Sequence, residues 1–374
     1  MRLARSPLLL LLALGAACSS DAATSPMEST LTPAVAVRAL TGATSVEVLT
    51  EVTPGLPIRA DARGLNASGQ VTGSQLGLTQ RSGDFTPYRS TPGSAAAALS
   101  GCCSTQWGAD INDAGIVVGT AQSGLVEGRR GFVAAGPSML TLPILPGGDA
   151  ELSAGAVAIN DAGQIVGYSP GAAGRRAVLW SASGVIQDLG TLGGSTSEAI
   201  DINASGLVIG KSLIAGDAET HFFLWSVESG MQDLSARLGP ITSVVEINDA
   251  GQIIGTHTTP GGESHAFLYT LGSGVRDLGT LGGTTSAPTG LNDAGQVVGS
   301  STLADGSTHA FLWTPTDGMD DITIVSGIRS VRRLNDRLQT LGGPVAAPTS
   351  SPEFSTTGDP LLVQLNFTPS SRSH

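Results

Sequence analysis

The sequence predicts an all-β chain folded as a seven-bladed β-propeller of four-stranded antiparallel blades. Three observations point there. The 374 residues include 51 Gly and 20 Pro, a content of helix breakers that disfavours a helical bundle. One turn motif recurs seven times at a mean spacing near 45 residues. Between successive turns the residues divide into short apolar or alternating runs, enough for four strands.

The turn is clearest at Leu291–Ser300, "LNDAGQVVGS". Copies begin at Asn66, Asn112, Asn160, Asn203, Asn248, Asn292 and, in eroded form, Asn335, at intervals of 46, 48, 43, 45, 44 and 43 residues. Asparagine at the first turn position can hydrogen-bond to backbone two residues on, and the glycine three residues later supplies a positive φ. The four residues after that glycine form the returning strand. Upstream, "AVAIN", "EAIDIN" and "VVEIN" alternate apolar and polar positions and make the entering strand. A third strand follows in "RRAVLWS", "THFFLWS", "SHAFLYT" and "THAFLWT", beginning at Arg175, Thr220, Ser264 and Thr308, with a weaker version at Arg129. Such continuously apolar runs belong to strands covered on both faces. The fourth strand is "GVIQDLG", "GMQDLSA", "GVRDLGT" and "GMDDITI", beginning at Gly184, Gly230, Gly274 and Gly318.

Four strands per repeat of this length make one propeller blade, and stacking blades face to face explains the buried third strand. A parallel β-helix has shorter coils, and a helical solenoid needs helices this composition lacks. Val46–Gly55, "VEVLTEVTPG", stands before the first turn as a fourth strand without its own first three, so it is expected to complete the last blade and remove a free edge. "PLLVQLNF", from Pro360, is then the third strand of that blade or the closing strand itself.

The blocks "THAFLWTPTDGM" and "DLGTLGGTTSAPTGLNDAGQVVGS" resemble the HAF-repeat family of bacterial extracellular proteins over most of Val46 to Gly343. The resemblance implies a secreted, propeller-like repeat protein, with no common activity established for the family. The Asn66 and Asn112 copies lack the His-Ala-Phe block.

At the start, "MRLARSPLLLLLALGAACSSD" has two arginines, an apolar run from Leu8 to Leu14 and small residues up to Cys18, the pattern of a secretory signal. Gly15-Ala16-Ala17-Cys18 is similar to a bacterial lipobox, which implies cleavage before Cys18 and acylation of its thiol and new amino terminus. Several acyl chains anchor a protein to a bilayer where one chain does so only marginally. The expected organisation is a signal peptide over 1–17, a lipidated N-terminus and flexible Ser/Thr/Ala/Pro tether over 18–42, the propeller over 43–370 and a disordered tail over 371–374. The expected location is that of an exported bacterial lipoprotein, at the outer membrane, cell surface or periplasmic face, with secretion as the fallback. The bilayer is the one partner this assigns.

Lysine plus arginine number 19 against 31 acidic residues, for a net charge of −12, and Lys211 is the single lysine. A phosphate backbone would be repelled by this surface, which excludes nucleic acid as a partner. No cofactor or metal is expected, and the chain is read as a monomer.

Candidate chemistry is weighed against local structure. His221, His265 and His309 recur 44 residues apart, a spacing that puts them in successive blades as framework hydrogen-bonders. "GYSPG" at Gly167 matches a nucleophile elbow, but Pro170 follows where a helix is required, and Ser212 and Ser301 occupy the same register as Ser169. "DLGTLGG", at Asp188 and Asp277, leads into a strand and therefore reads as an interblade turn instead of a phosphate cradle. "DINDAG", from Asp110, has alternate oxygen ligands suited to calcium, yet the residue two before each asparagine is Gly64, Asp110, Ala158, Asp201, Glu246, Gly290 and Arg333, so no ligand set is shared. Trp180, Trp225, Tyr269 and Trp313 share one register in the third strand and read as blade packing.

Cys102 and Cys103, followed by Trp107, interrupt the first repeat. Adjacent cysteines could form a strained vicinal disulfide stiffening a ligand loop, remain two thiols, or bridge two chains; the first is the reading adopted, with Trp107 as the aromatic of that loop.

No catalytic constellation is visible, so the expected function is a non-enzymatic binding or scaffold propeller for a glycan or protein ligand. The alternative is a propeller hydrolase or lyase acting on extracellular polysaccharide. It requires carboxylates directed into the central channel from first strands, and Asp110, Asp201 and Glu246 are the acidic residues at that register.

Overall fold

The computed structural model describes residues 44–51, 60–76, 85–92, 94, 96–99, 106–122, 128–323, 330–343 and 361–367. Seven four-stranded antiparallel sheets form a closed ring. It is a seven-bladed β-propeller.

Blade 1 has strands Ala60–Leu65, Val71–Leu76, Phe85–Ser90 and Ala97–Ala98. Blade 2 has Gln106–Ile111, Val117–Gln122, Arg129–Ala134 and Leu140–Thr141. Blade 3 has Gly155–Ile159, Ile165–Gly171, Gly174–Trp180 and Ile186–Asp188. Blade 4 has Gly193–Ile202, Val208–Ile214, Thr220–Ser226 and Gly230–Asp233. Blade 5 has Ile241–Ile247, Gln252–Thr258, Ser264–Thr270 and Gly274–Asp277, and blade 6 has Ser286–Leu291, Val297–Thr302, Thr308–Thr314 and Gly318–Asp321.

Blade 7 closes the ring. Its first three strands, Ser330–Leu334, Gln339–Gly343 and Leu361–Phe367, come from the end of the chain, and its outer strand is Thr44–Glu51. The register pairs Val46 with Leu365 and Val48 with Val363. Of the two roles open to the Pro360 segment, the third strand is the one it takes.

The two recurrent blocks meet in one contact. In blade 6 the last glycine of the turn motif, Gly299, pairs with Phe311 of the third strand. A Cβ at Gly299 would collide with the Ala287 carbonyl and the Phe311 ring, so only glycine lets a fully buried phenylalanine cross the blade there. Phe132, Phe223 and Phe267 stand opposite Gly119, Gly210 and Gly255 in the same way. The core consists of layers between blades: Leu179, Ala177 and Val166 of blade 3 pack with Phe223, Trp225 and Ile202 of blade 4.

The fourth strand of blade 4 departs from expectation, because the "LSA" part of "GMQDLSA" is not strand. Asp233 ends the strand and caps a short helix, Leu234–Leu238, its side chain accepting the Ala236 N–H. Gly239, at φ 85°, ends the helix. Leu234, expected in that strand by its place in the repeated block, is buried from the helix instead. The eroded seventh turn keeps the shape of the others, with Leu338 at φ 60° where the intact turn of blade 6 has Gly295 at φ 73°.

Candidate functional site: the channel mouth

The seven asparagine turns surround one end of the central channel. Each asparagine serves its own hairpin and also its neighbour. The Asn248 Oδ1 accepts the Gln252 N–H at 2.8 Å, while its Nδ2 donates to the Asn292 carbonyl of the next blade at 2.9 Å. Equivalent interblade bonds run from Asn66 to Asn112, Asn112 to Asn160, Asn160 to Asn203 and Asn203 to Asn248, at 2.9–3.2 Å. Asn335 donates to the Asn66 carbonyl at 3.0 Å and carries the chain of bonds across the closure. All seven asparagines are buried, so these bonds satisfy groups that burial would otherwise leave unpaired.

Outside that ring, aspartates link the same turns. Asp113 accepts the Ala67 N–H, Asp161 that of Asp113, Asp249 that of Ala204, Asp293 that of Asp249 and Asp336 that of Asp293, at 2.7–2.9 Å. The mouth is therefore acidic.

One layer deeper, the residues two before the asparagines converge on a cavity of about 200 Å³. Asp110, Asp201 and Glu246 enter it from blades 2, 4 and 5, and Arg333 from blade 7. Each carboxylate accepts a main-chain N–H from the following blade: Asp110 from Ile159 at 3.1 Å, Asp201 from Ile247 at 2.9 Å and Glu246 from Leu291 at 2.9 Å. The Arg333 guanidinium donates to Glu246 at 2.7 Å, and its Nε donates to the Arg63 carbonyl of blade 1 at 3.0 Å. This side chain thus passes blade 6 to join blades 7, 1 and 5. Gly290 of blade 6 lets the first strand of blade 7 approach closely, because a Cβ there would strike the Arg333 backbone.

Three carboxylates share one guanidinium in this enclosure, which sets their protonation. Burial, reinforced by the neighbouring Glu246 carboxylate, pushes Asp201 up to about 8. Burial also raises Asp110 and Glu246 above the ordinary carboxylate range, against the pull of Arg333. Arg333 is held above its usual value by the carboxylates, although burial opposes this. Asp201 can therefore hold its proton at neutral pH, beside the Glu246–Arg333 pair.

The other candidates have framework roles. His221, His265 and His309 bond through Nδ1 to Asp233, Asp277 and Asp321 of the adjacent fourth strands, at 2.6–3.0 Å. Arg176 takes the histidine's place in blade 3, against Asp188. Ser169, Ser212 and Ser301 are buried, and their hydroxyls accept the N–H groups of Leu145, Leu192 and Leu281 in the interblade loops. Trp180, Trp225, Tyr269 and Trp313 are buried in the blades. Trp107 lies under the Arg129 guanidinium, 4.5 Å from its ring centroid, with Phe85 at 6.3 Å. Cys18, Cys102 and Cys103 lie outside the described residues.

Sequence reasoning had Asp110, Asp201 and Glu246 in view, but it took Arg333 only as a departure from the pattern. The readable signal was a lone cation at a register that otherwise carries acids or small residues.

No family model matches the chain, and no curated protein matches it. Solved structures similar to it share the fold at low identity. TolB from Acinetobacter baumannii is 11% identical with a TM-score of 0.42, over 66% of this chain and 61% of that one. A puromycin-hydrolysing peptidase from Mycobacterium tuberculosis is 13% identical with a TM-score of 0.50, over 90% of this chain and 56% of the peptidase. The chain therefore spans less than two thirds of either protein. An aldose sugar dehydrogenase from Streptomyces coelicolor is 11% identical with a TM-score of 0.38, over 86% of this chain and 98% of that chain.

Proposed function

We propose that this chain is a non-enzymatic binding or scaffold propeller that presents its asparagine-turn face to an extracellular glycan or protein. The observation that carries the reading is the convergence of Asp110, Asp201, Glu246 and Arg333 on one cavity at that face. Each of these side chains is fixed by main-chain or ionic bonds between blades, so the polar groups are preorganised before a ligand arrives. The HAF-type blocks and the leader ending at Cys18 support an exported protein of that repeat family, tethered to the bilayer by acyl chains.

A second reading is supported by the same cluster: a hydrolase or lyase on extracellular polysaccharide. Asp201, which burial makes hold its proton, stands beside two further carboxylates in one enclosure, the grouping on which general acid catalysis at a glycosidic bond draws. One experiment separates the two. The full chain carrying Cys18→Ser, which blocks lipidation, is applied to glycan arrays and polysaccharide pull-downs, with product analysis on every hit. Binding without turnover, weakened by Arg333→Ala, supports the first reading. Cleavage abolished by Asp201→Ala supports the second, and binding indifferent to both substitutions removes the channel mouth as the site.

A further inference from the structure

A second cavity, of about 410 Å³, opens on the same face but outside the channel, between blades 3 and 4. Its size lies in the range of small-molecule sites. Leu179 and Leu207 give it apolar walls, and Gln164, Gln187, Trp225 and Glu228 supply its polar groups.

Two donors there face the cavity without the partner that some of their counterparts have. In blades 1 and 5 the glutamine four residues after the turn asparagine donates its amide N–H to a threonine at the end of the third strand or just past it, Gln70 to Thr91 at 3.1 Å and Gln252 to Thr270 at 3.4 Å. In blade 3 the matching residue is Ser181, whose hydroxyl instead bonds Ser183 and the Val185 N–H of its own turn. The Gln164 carbonyl oxygen accepts from Asn160 at 2.8 Å, but its amide nitrogen meets no acceptor among the described residues. Trp225 repeats the pattern. In blade 3 the equivalent Trp180 is sealed, its Nε1 donating to the Pro143 carbonyl at 2.8 Å. Trp225 is 6% exposed and lines the cavity, and its indole N–H has no acceptor among the described residues. Neither atom is sealed from solvent, so both donors are open to an acceptor held in the cavity.

We propose that this cleft is a binding site for a neutral sugar unit. No basic side chain lines it, and Glu228 stands at its edge, which disfavours phosphates, sulfates and carboxylates. The amides of Gln164 and Gln187, the Trp225 indole and the Glu228 carboxylate provide donors and an acceptor for hydroxyl groups, over an apolar wall that suits the C–H face of a pyranose. The site is separate from the channel mouth and does not depend on which reading holds there.

The test is a titration of the Cys18→Ser full chain with methyl glycosides of glucose, galactose, mannose and N-acetylglucosamine, followed by saturation-transfer NMR and calorimetry. At least one glycoside should bind at a single site with a Kd on the order of 1 mM, as for a ligand held by a few hydrogen bonds. Gln187→Ala and Glu228→Ala, both at exposed positions, should each weaken it about fivefold to tenfold, and Trp225→Phe, which keeps the ring and removes the N–H, by a similar factor. Absence of binding by all four glycosides overturns the proposal and leaves the channel-mouth reading to its own assay. Binding with an unchanged Kd in all three variants places the sugar elsewhere and overturns it equally.

Discussion

Removing Asn248 should cost more stability than removing Asn292, although the two residues occupy the same place in the repeat. Asn248 makes three hydrogen bonds: it accepts from Gln252 N–H at 2.8 Å, donates to the Gln252 side chain at 2.8 Å and donates to the Asn292 carbonyl of the next blade at 2.9 Å. Asn292 makes the first two, to Gln296 at 2.9 and 2.8 Å, but among the described residues it has no bond to the Asn335 carbonyl. At about 1 kcal/mol net per bond, Asn248→Ala should cost about 3 kcal/mol and Asn292→Ala about 2 kcal/mol. The difference of about 1 kcal/mol isolates the interblade bond. Guanidinium unfolding read by circular dichroism, with an unchanged slope, gives both values from the midpoints. Equal costs, or a loss below about 0.5 kcal/mol for Asn248→Ala, would refute the idea that these side chains fasten blade to blade.

Other consequences follow from the channel cluster and the blade interior. Arg333→Met leaves three carboxylates without their cation and should destabilise the fold by about 2–4 kcal/mol at pH 7, with a smaller loss at pH 5, where the carboxylates take up protons; a pH-independent loss in thermal melts would contradict this. Asp201 has a folded pKa of about 8, above the ~3.9 of an unfolded aspartate, so the folded state holds its proton more tightly. Its contribution to stability is therefore present at low pH and lost as pH rises between those values. The stability of the native chain relative to Asp201→Asn should fall from pH 5 to pH 9, and a constant difference would show that Asp201 titrates normally. Gly299→Ala should cost about 2–3 kcal/mol through collision with the Ala287 carbonyl and Phe311, whereas Gly318→Ala, at φ 82° with open space around it, should cost about 1 kcal/mol. Similar losses in the two would mean that Phe311 does not need the close approach.

The blades could be read from the sequence because their causes are local. The turn motif, the alternating entry strand and the apolar third strand each lie within one repeat, and their recurrence fixes the ring. The closing strand could also be read, since Val46–Gly55 carries a fourth-strand pattern with no blade of its own. What escaped depends on contacts between blades. The asparagine side chains were assigned to their own hairpins, yet six of them also bond a carbonyl 43–48 residues away, or 269 away at the closure. The Arg333–Glu246 pair spans 87 residues and passes over an intervening blade, so no repeat-by-repeat comparison reveals it. The histidine and aspartate pairs are a different case. His221 and Asp233 lie 12 residues apart on paired strands, and the hairpin between them could have been used to predict their contact. The short helix after Asp233 was hidden because a fourth strand is expected there and the capping aspartate belongs to the strand pattern as well.

The closed ring underlies the channel, its mouth and the cleft, and it is tested most directly by joining the two ends of the chain. In a variant lacking the native cysteines, Val46→Cys and Leu365→Cys should oxidise to an intramolecular disulfide, because residues directly opposed on antiparallel strands fall within disulfide range. The oxidised monomer should migrate faster on a non-reducing gel and resist thermal unfolding better than the reduced one. Failure to cross-link in the folded monomer, or cross-linking only between two chains, would show that the first strand does not complete the seventh blade.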